Sequence, residues 1–316
     1  MVFILKTLAI NAVILLAGSL VSAQNQVTVA AYRGGRQAAL SLTFDDGLQE
    51  HYSLLFPRLQ QLGLHATFGV IGKRMDVCPS NPDKATFSWD NAREMANAGH
   101  EIANHGWAHQ NVLNLSEEEL RREIYRNDSA ITAHVGTFPK SYFFPGNRKD
   151  DVSSAICNEG RICTRMQQVS LGSKRSVDWF RRWMASLIRK EGWGVTMSHG
   201  ITHGYDAFGC ADSLWRMLDV AKSLESVIWI ATMSEVAAYI AERQNTTLVS
   251  SVSGNVMSVS LHSNLDPGLY NVPLTLILSS MPVSVSQGGS ALQVESDGSR
   301  FFVDVQPSSQ PILITF

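Results

Sequence analysis

The sequence predicts an α/β fold, a parallel sheet or barrel covered by helices, followed by a small all-β domain. Apolar strand-like runs alternate with helical patterns from about residue 37 to residue 244, and this alternation is typical of parallel strands with helices outside. After residue 245 the helical period disappears and only short alternating runs remain. We therefore expect two domains, residues 24–245 and residues 246–316, the second being an antiparallel β-sandwich.

Residues 1–23 have the composition of a secretory signal peptide. Lys6 is their only charge, an apolar run follows it, and the segment ends in Val21-Ser-Ala23. A basic start, an apolar middle and a small-residue end are typical of a signal that is cleaved. The apolar run is short for a transmembrane helix. We expect cleavage after Ala23, a secreted or periplasmic protein, and no transmembrane segment in the mature chain.

The composition outside that segment narrows the class of protein. Losing Lys6 leaves 25 basic side chains against 28 acidic ones, and no basic patch indicates a nucleic-acid partner. Four cysteines permit disulfides in an oxidising compartment, but their pairing stays open. They contain no Cys-x-x-Cys pair, which argues against a zinc ribbon.

The individual elements follow from the apolar periodicity. The predicted strands of the first domain are residues 40–44, 66–72, 101–104, 141–144, 194–197 and 227–231. Helices are predicted at 89–98 and 116–133, the second with a capping box formed by Ser116 and Glu119. The predicted strands of the second domain are residues 256–261, 283–286 and 302–305.

The apolar run Leu40–Phe44 ends in two adjacent carboxylates, Asp45 and Asp46, and then Gly47. Alternate residues of a strand face opposite sides, so the run has one apolar face and one face that carries Asp45. Two neighbouring carboxylates repel, and burying both needs a cation or a shared proton. A divalent metal bound by one carboxylate, with the other carboxylate beside it as a base, would stabilise the negative charge of both. The alternative is a strand followed by an ordinary Asp-Asp-Gly turn.

A second polar motif follows the predicted strand at residues 101–104. His105 and His109 are four residues apart, a spacing that lets two imidazoles reach one metal ion. With Asp46 they would form a His, His, Asp site that keeps an open position for water, as catalytic zinc sites do. Considered alone, two such histidines are more often surface or core residues.

These motifs resemble those of the polysaccharide deacetylases of the NodB-homology type, carbohydrate esterase family four. Thr43-Phe-Asp-Asp-Gly47 matches the first motif of that family, and His105-Gly-Trp-Ala-His109 matches the second except for Gly106, where a hydroxyl residue is usual. The resemblance implies a distorted, incomplete (β/α) barrel over residues 37–243. It also implies Asp46, His105 and His109 as ligands of a divalent metal, zinc in the first place with cobalt, nickel or manganese as alternatives, and Asp45 as the catalytic base.

The third motif of that family is altered in this chain. Phe143-Phe-Pro-Gly-Asn147 keeps the turn at Pro145 and Gly146 but lacks the arginine that braces the base. Arg148 is a candidate substitute, although an ordinary loop cation is the favoured interpretation. By resemblance, the backbone near Pro145 and Gly146 binds the acetate or its oxyanion.

The last two motifs supply the expected acid. Val177-Asp-Trp179 keeps the end of the fourth motif, which implies Asp178 as the residue that orients the catalytic histidine and Trp179 as a pocket wall. The alternative places Trp179 on an amphipathic helix as a core residue. The fifth motif ends in His199, the implied general acid. Tyr205 and its neighbour His203 are expected to be loop residues rather than cleft residues.

The function predicted from these residues is metal-dependent hydrolysis of an N- or O-linked acetyl group on a poly- or oligosaccharide. No Gly-x-Ser-x-Gly elbow supports a serine esterase. One alternative is a catalytically weak relative that binds glycans in the same cleft. Another is a carbohydrate-binding or docking protein that acts through its C-terminal sandwich.

Overall fold

The structure of the chain, a computed structural model, describes residues 26–77 and 81–316. The predicted signal peptide and Cys78 lie outside the described residues. Within the described residues, no helix combines the length and the apolar character that crossing a membrane would require. The chain forms two compact units: Arg36–Ala237, and Ala238–Phe316 together with the described residues up to Gly35.

The smaller unit includes a strand from the start of the chain. β1 (Val27–Val29) pairs antiparallel with residues 276–278. The two units therefore differ in membership from the domains predicted at residues 24–245 and 246–316, because β1 is hydrogen-bonded into the C-terminal sheet. As functional domains, the predicted bounds stay a prediction.

Parallel strands form the centre of the larger unit. In chain order they are β2 (Ala38–Ser41), β3 (Thr43–Phe44), β4 (Thr67–Val70), β5 (Glu101–Asn104), β6 (Ser141–Tyr142), β7 (Cys163–Thr164), β8 (Val169–Ser170), β9 (Trp193–Met197) and β10 (Ile228–Ile230). They form two sheets, ordered β3-β4-β5-β6-β7 and β10-β2-β9-β8. The sheets join where β3 continues β2, because the N–H of Asp45 donates to the carbonyl of Ser198, just beyond β9, over 2.9 Å. This arrangement confirms the predicted distorted, incomplete barrel.

The strands alternate with helices, as the sequence predicts. The helices are α1 (Phe56–Leu62), α2 (Trp89–Asn97), α3 (Glu117–Val135), α4 (Asp151–Asn158), α5 (Val177–Lys190), α6 (Ala211–Ser223) and α7 (Met233–Asn245). The predicted capping box is present at the start of α3, where Ser116 and Glu119 satisfy each other's backbone N–H groups. A π-helical turn, His51–Leu55, leads into α1.

The first strand confirms the predicted division into two faces. Leu40, Leu42 and Phe44 belong to the main hydrophobic core. Thr43 and Asp45 are also buried but point to the opposite side, where Thr43 Oγ1 accepts a hydrogen bond from an arginine. The apolar face anchors the strand, so its polar end has a fixed position.

The smaller unit contains two antiparallel sheets, as predicted. Its remaining strands are β11 (Thr246–Ser253), β12 (Val256–Ser263), β13 (Leu274–Leu278), β14 (Ser284–Gln287), β15 (Ser290–Ala291), β16 (Glu295–Ser296), β17 (Phe301–Val305) and β18 (Ile312–Thr315). Their orders are β1-β13-β17-β16 and β11-β12-β18-β14-β15. In β12 the buried residues Met257, Val259 and Leu261 alternate with more exposed ones, which is the pattern of a sheet with one face in a core.

Candidate active site

Four polar side chains meet at the carboxyl ends of the parallel strands. Asp45 follows β3, His105 follows β5, Arg165 follows β7 and His199 lies two residues beyond β9. The carboxyl edge is where parallel α/β sheets and barrels place ligands and chemistry. The sequence motifs are far apart in the chain, and the barrel brings them to this one edge.

Asp46, His105 and His109 form a cluster that could hold a metal ion. One ligand atom from each residue lies within 4.8 Å of the others, and Asp46 Oδ1 is 3.6 Å from Nε2 of both histidines. Donors bound to one tetrahedral zinc at about 2.0–2.1 Å lie about 3.3 Å apart, so the observed spacing is close to that of a metal site.

The hydrogen bonds of these residues also fit a metal. His105 Nδ1 is 2.9 Å from the carbonyl oxygen of Phe143; a carbonyl only accepts, so Nδ1 carries the proton and the lone pair of Nε2 is free for a metal. Asp46 Oδ1 is buried and has no hydrogen-bond partner in the described chain. Its nearest cation outside the cluster, Arg74, is 4.0 Å away and half exposed. A buried carboxylate oxygen of this kind is costly unless a cation binds it.

Both ligand loops depend on residues in the left-handed backbone region. Asp46 has φ 74° and Gly47 φ 65°, while Gly106 has φ 77° and His109 φ 59°. Such conformations cost an L-residue about 1 kcal/mol or more, and non-glycine examples concentrate at functional sites. The glycine at 106, where the family usually has a hydroxyl residue, is explained by this φ and by Glu123 Oε1, which would lie 3.2 Å from an added Cβ.

Buried side chains of α3 and β5 hold the histidine loop. Glu123 Oε1 accepts from the N–H of Ala108 over 2.6 Å, and Asn104 Oδ1 accepts from the N–H of Gly106 over 2.7 Å. Asn127 donates to the same Asn104 oxygen. The loop is therefore preorganised by its neighbours, as metal-ligand loops commonly are.

Arg165 binds Asp45 through both ends of its guanidinium group. Nη1 is 2.5 Å from Oδ1 and Nη2 is 2.6 Å from Oδ2, and both side chains are almost completely buried. Nη1 also donates to Thr43 Oγ1 over 2.8 Å, while the guanidinium carbon lies 4.0 Å from the centre of the Phe143 ring. This bidentate geometry fixes the orientation of the carboxylate.

The charges around Asp45 keep it ionised. Burial by itself would raise its pKa, but the charge of Arg165 and the hydrogen bonds from it, followed by His105 and His199, bring the pKa well below its usual range. At neutral pH Asp45 is therefore a carboxylate that only accepts hydrogen bonds and protons.

His199 lies close to Asp45, with its Nε2 3.9 Å from Asp45 Oδ2. Its side chain is about one-tenth exposed. Its Nδ1 is buried and has no hydrogen-bond partner among the described residues. The structure thus places the predicted acid beside the predicted base, without an acidic partner for its second nitrogen.

Two residues that follow the first motif hold the segment that carries His199. His51 is fully buried and its Nε2 donates to the carbonyl of His199 over 2.8 Å. Glu50 Oε2 accepts from the N–H groups of Ile201 and Thr202 over 2.9 and 3.0 Å. The loop beyond β9 is therefore fixed to the same stretch of chain that carries Asp45.

The altered third motif keeps its turn but not a brace for the base. Pro145 is buried and Gly146 has φ 62°, and the ring of Pro145 lies 3.5 Å from the position of a Cβ at Gly106, next to the histidine loop. Arg148 is exposed and is not among the ion-pair partners of Asp45. Arg165 makes the ion pair that Arg148 was considered for.

The expectation that Asp178 orients His199 is wrong. Asp178 is 73% exposed and pairs with Arg181, one turn further along α5. An acid in the first turn of a helix is also stabilised by the helix dipole. Trp179 stacks on Trp183, and both pack against the main core. The alternative interpretation, an amphipathic helix with Trp179 in its packed face, describes this segment.

Sequence reasoning missed Arg165. It follows a strand of only two residues, Cys163–Thr164, and its partner is 120 residues away in the chain. The local sequence around Arg165 has no motif, so only the barrel geometry identifies it.

The fold and the cluster together define the class: a barrel-type α/β protein with a His, His, Asp cluster and an adjacent ionised carboxylate. Residues 32–160 match the family model described as polysaccharide deacetylase. This match, over less than half of the chain, confirms the resemblance of its motifs to those of the polysaccharide deacetylases of the NodB-homology type, carbohydrate esterase family four.

Its curated relatives match over a limited segment. A peptidoglycan-N-acetylglucosamine deacetylase of Bacillus cereus is 29% identical over 105 residues, which is 33% of this chain and 34% of that protein. Chitin deacetylase 1 of Cryptococcus neoformans is 29% identical over 115 residues, 36% of this chain and 22% of that protein. The match thus spans about a third or less of these relatives.

A solved structure supports the fold. The crystal structure of a candidate polysaccharide deacetylase from Mycobacterium smegmatis is 17% identical, with a TM-score of 0.50, and the match covers 68% of this chain and 95% of that chain.

Proposed function

We propose that the protein is a metal-dependent hydrolase that removes N- or O-linked acetyl groups from a poly- or oligosaccharide. The observation that carries the proposal is the joint position of the Asp46, His105 and His109 cluster and Asp45, which Arg165 holds ionised at the same edge of the barrel. A pure binding protein has no evident need for a braced, buried carboxylate next to such a cluster.

Asp46, His105 and His109 would hold the metal, and their imidazole and carboxylate donors suit zinc, with cobalt, nickel or manganese as alternatives. When bound, a divalent metal supplies Lewis-acid polarisation of an acyl oxygen and a water of lowered pKa. His105 is oriented for this role by its hydrogen bond to the Phe143 carbonyl.

Asp45 would act as the general base. It is ionised at neutral pH because Arg165 stabilises its charge, and it would accept the proton of the attacking water. Arg165 would hold both carboxylate oxygens in place during this transfer, so that orientation and charge do not have to be established at the moment of reaction.

His199 would act as the general acid. Its Nε2 lies 3.9 Å from Asp45 Oδ2, so the proposed acid and the proposed base are close enough to act on one acetyl group. A proton on His199 would pass to the leaving amine or alkoxide as the bond to the acetyl group breaks. The backbone near Pro145 and Gly146 is proposed to bind the acetyl group.

The substrate proposal rests on the relatives. Their names describe deacetylases of peptidoglycan N-acetylglucosamine and of chitin, so polymers of N-acetylglucosamine are the first substrates to test. The proposed secreted or periplasmic location suits such substrates, which lie outside the cytoplasm.

Acetate release by the purified chain tests the proposal. The panel contains N-acetylglucosamine oligomers, peptidoglycan and acetylated xylan, each with and without a chelator and with zinc added back. We expect release that the chelator abolishes and zinc restores. Release that persists after complete removal of metal would contradict the metal-dependent mechanism.

The second candidate is a catalytically weak relative that binds glycans in the same cleft. The unpartnered Nδ1 of His199 favours it, because no described residue hydrogen-bonds to this nitrogen to orient the proposed acid. Saccharide binding by metal-loaded protein without acetate release from the panel would support this candidate.

A further inference from the structure

We propose that a cavity beside the candidate active site, together with the ring of Tyr205, is a subsite for a neutral pyranose next to the sugar that carries the acetyl group. This inference rests on the proposed function, because it names a further part of the same substrate. It concerns residues outside the motifs, and none of them is a proposed metal ligand, base or acid.

The cavity begins two residues after Asp46. It has a volume of about 290 Å³, and its polar lining comes from Gln49, Glu50, Ser53, Asp83 and His203. Leu48 and Leu54 also line it. A concave site with a few polar groups over an apolar floor is the usual form of a small-ligand site, and this volume is sufficient for one sugar ring.

An ordered loop forms one wall of this cavity. His203 Nδ1 is 2.8 Å from Asp83 Oδ1, and its Nε2 is 3.5 Å from Glu50 Oε1. The same Glu50 holds the backbone of residues 201 and 202. These contacts fix the loop, so the cavity is present before any ligand arrives.

Tyr205 is presented at the end of that loop. It is 74% exposed, the highest value among the large hydrophobic and aromatic side chains described for the larger unit. Its backbone carbonyl accepts a hydrogen bond from the N–H of Gly200 over 3.3 Å, so the ring is held in solvent by a folded loop. Glycine is required at 200, where an added Cβ would lie 1.9 Å from the carbonyl oxygen of His203.

The position of Tyr205 links the cavity to the chemistry. Its ring is 4.9 Å from the imidazole of His199 and perpendicular to it, and His199 Nε2 is 3.9 Å from Asp45. A group in contact with Tyr205 is therefore adjacent to the leaving-group side of the centre. In the chain, Gly204 alone separates Tyr205 from His203, which lines the cavity.

A pyranose is the ligand that matches both features. Its C–H faces are apolar and pack on an aromatic ring, whereas its equatorial hydroxyls need hydrogen-bond donors and acceptors at the rim. Tyr205 supplies the ring. The backbone N–H of Gln49 donates to the carbonyl of Ala85. Its side-chain amide, which lines the cavity, makes no hydrogen bond to the described residues, so it can bind a hydroxyl without breaking an existing contact.

Oligosaccharide kinetics test this subsite. Acetate release is measured on N-acetylglucosamine oligomers of one to four sugars and on 4-nitrophenyl acetate, for the parent chain, Tyr205→Ala, Gln49→Ala and Tyr205→Phe. We expect Tyr205→Ala to raise KM for the tetramer roughly tenfold, the effect of one lost ring contact of about 1.4 kcal/mol. Gln49→Ala should raise KM by a smaller factor, and Tyr205→Phe, which keeps the ring, should resemble the parent. Turnover of 4-nitrophenyl acetate, which has no sugar to occupy the subsite, is the reference for each variant, and the change in tetramer KM is judged against it. Tyr125→Ala, which removes an exposed tyrosine of α3, is the matched control and should leave every KM unchanged.

Calorimetric binding of non-acetylated tetrasaccharides separates this inference from the proposed function. The probes are β-1,4-linked glucose and xylose tetramers, which are neutral and need no turnover. Weaker binding of either tetramer by Tyr205→Ala than by the parent would support the subsite even if no acetate release is found. Equal tetramer KM in the parent and in Tyr205→Ala, or no binding of either tetramer by the parent, would overturn it.

Discussion

The structure contains two buried arginine–aspartate pairs whose arginines are four residues apart in the chain. The two pairs have the same chemistry but different surroundings. Arg165 and Asp45, here called the site pair, lie beside the His, His, Asp cluster. Arg161 and Asp128, here called the scaffold pair, join the segment before β7 to α3. Both arginine side chains are fully buried.

The difference is what else each carboxylate faces. Asp128 also accepts from the side chain of Asn104 over 2.6 Å, and Arg161 donates to the carbonyl of Cys157 over 3.1 Å, so the scaffold pair is bound by protein groups. Asp45 instead has His105 and His199 each 3.9 Å away. A buried ion pair stabilises a fold little more than apolar residues of the same volume would. We therefore interpret the site pair as a means of holding a reactive carboxylate in place.

The largest predicted effect separates the two carboxylates. Asp45→Asn should lower the turnover number by about 10²–10⁴-fold, because it removes the proposed general base, while the metal content stays unchanged. Asp128→Asn should keep the turnover number of the folded fraction and lower the free energy of unfolding. Acetate release and urea unfolding of both variants give the comparison.

A double variant separates the loss of the base from a loss of stability in that test. Asp45→Asn leaves Arg165 buried without its counter-charge, which costs stability. Asp45→Asn with Arg165→Met removes both charges, and it should regain stability but not activity. Full activity in either variant would remove Asp45 as the base.

The second prediction compares the replacement of each arginine by methionine. Arg165→Met should lower the turnover number about a hundredfold, the effect expected when a reacting group is displaced by about 1 Å. Both variants leave a buried carboxylate unpaired and should lower the free energy of unfolding by about 3–5 kcal/mol, but Arg161→Met should change turnover per folded molecule little. Equal effects of both variants on turnover would show that Arg165 is only structural.

The third prediction concerns the stability of the protein in acid, which should depend on a buried histidine outside both pairs. His100 accepts a hydrogen bond at Nδ1 from the N–H of Ala66 over 3.1 Å, and burial, aided by the nearby His65, lowers its pKa to about 4. Above pH 6.5 the folded and unfolded chains both hold it neutral. Between pH 6.5 and about 4 only the unfolded chain takes up the proton, so this group should remove about 3 kcal/mol of stability over that window.

His100→Asn provides the control for the acid effect. Asparagine keeps an acceptor for the Ala66 N–H and does not titrate in this range. The slope of unfolding free energy against pH between 6.5 and 4 should be smaller in this variant. An identical slope would mean that His100 is not the neutral buried group described above.

The smallest predicted effect concerns Arg148. Because this exposed arginine does not pair with Asp45, Arg148→Ala should change neither turnover nor the free energy of unfolding measurably, as is usual for surface substitutions. A loss of activity comparable to that of Arg165→Met would restore Arg148 as the brace.

The sequence carried enough information for the barrel and for the residues of its first two motifs. Long apolar runs and the Ser116 capping box are local signals, so the strand and helix order could be predicted. Asp46, His105 and His109 could be grouped because each follows a predicted parallel strand, and such strands end at one edge.

The residues that could not be predicted depend on distant contacts. Arg165 follows a strand too short to have a pattern, and its ion pair spans 120 residues. Asp178 was misassigned because an acid near the start of a helix has a local stabilising role that looks the same in sequence as a catalytic one. The membership of β1 in the C-terminal sheet likewise depends on pairing with residues nearly 250 positions away.

Metal content is the measurement that tests the central claim most directly, namely that a metal cluster and a separate base lie side by side. Elemental analysis after zinc loading and desalting would compare the parent chain, Asp46→Ala and Asp45→Asn. We predict one zinc per chain in the parent and in Asp45→Asn, and none in Asp46→Ala. Equal zinc content in the parent and Asp46→Ala, or its loss in Asp45→Asn alone, would contradict this division of roles.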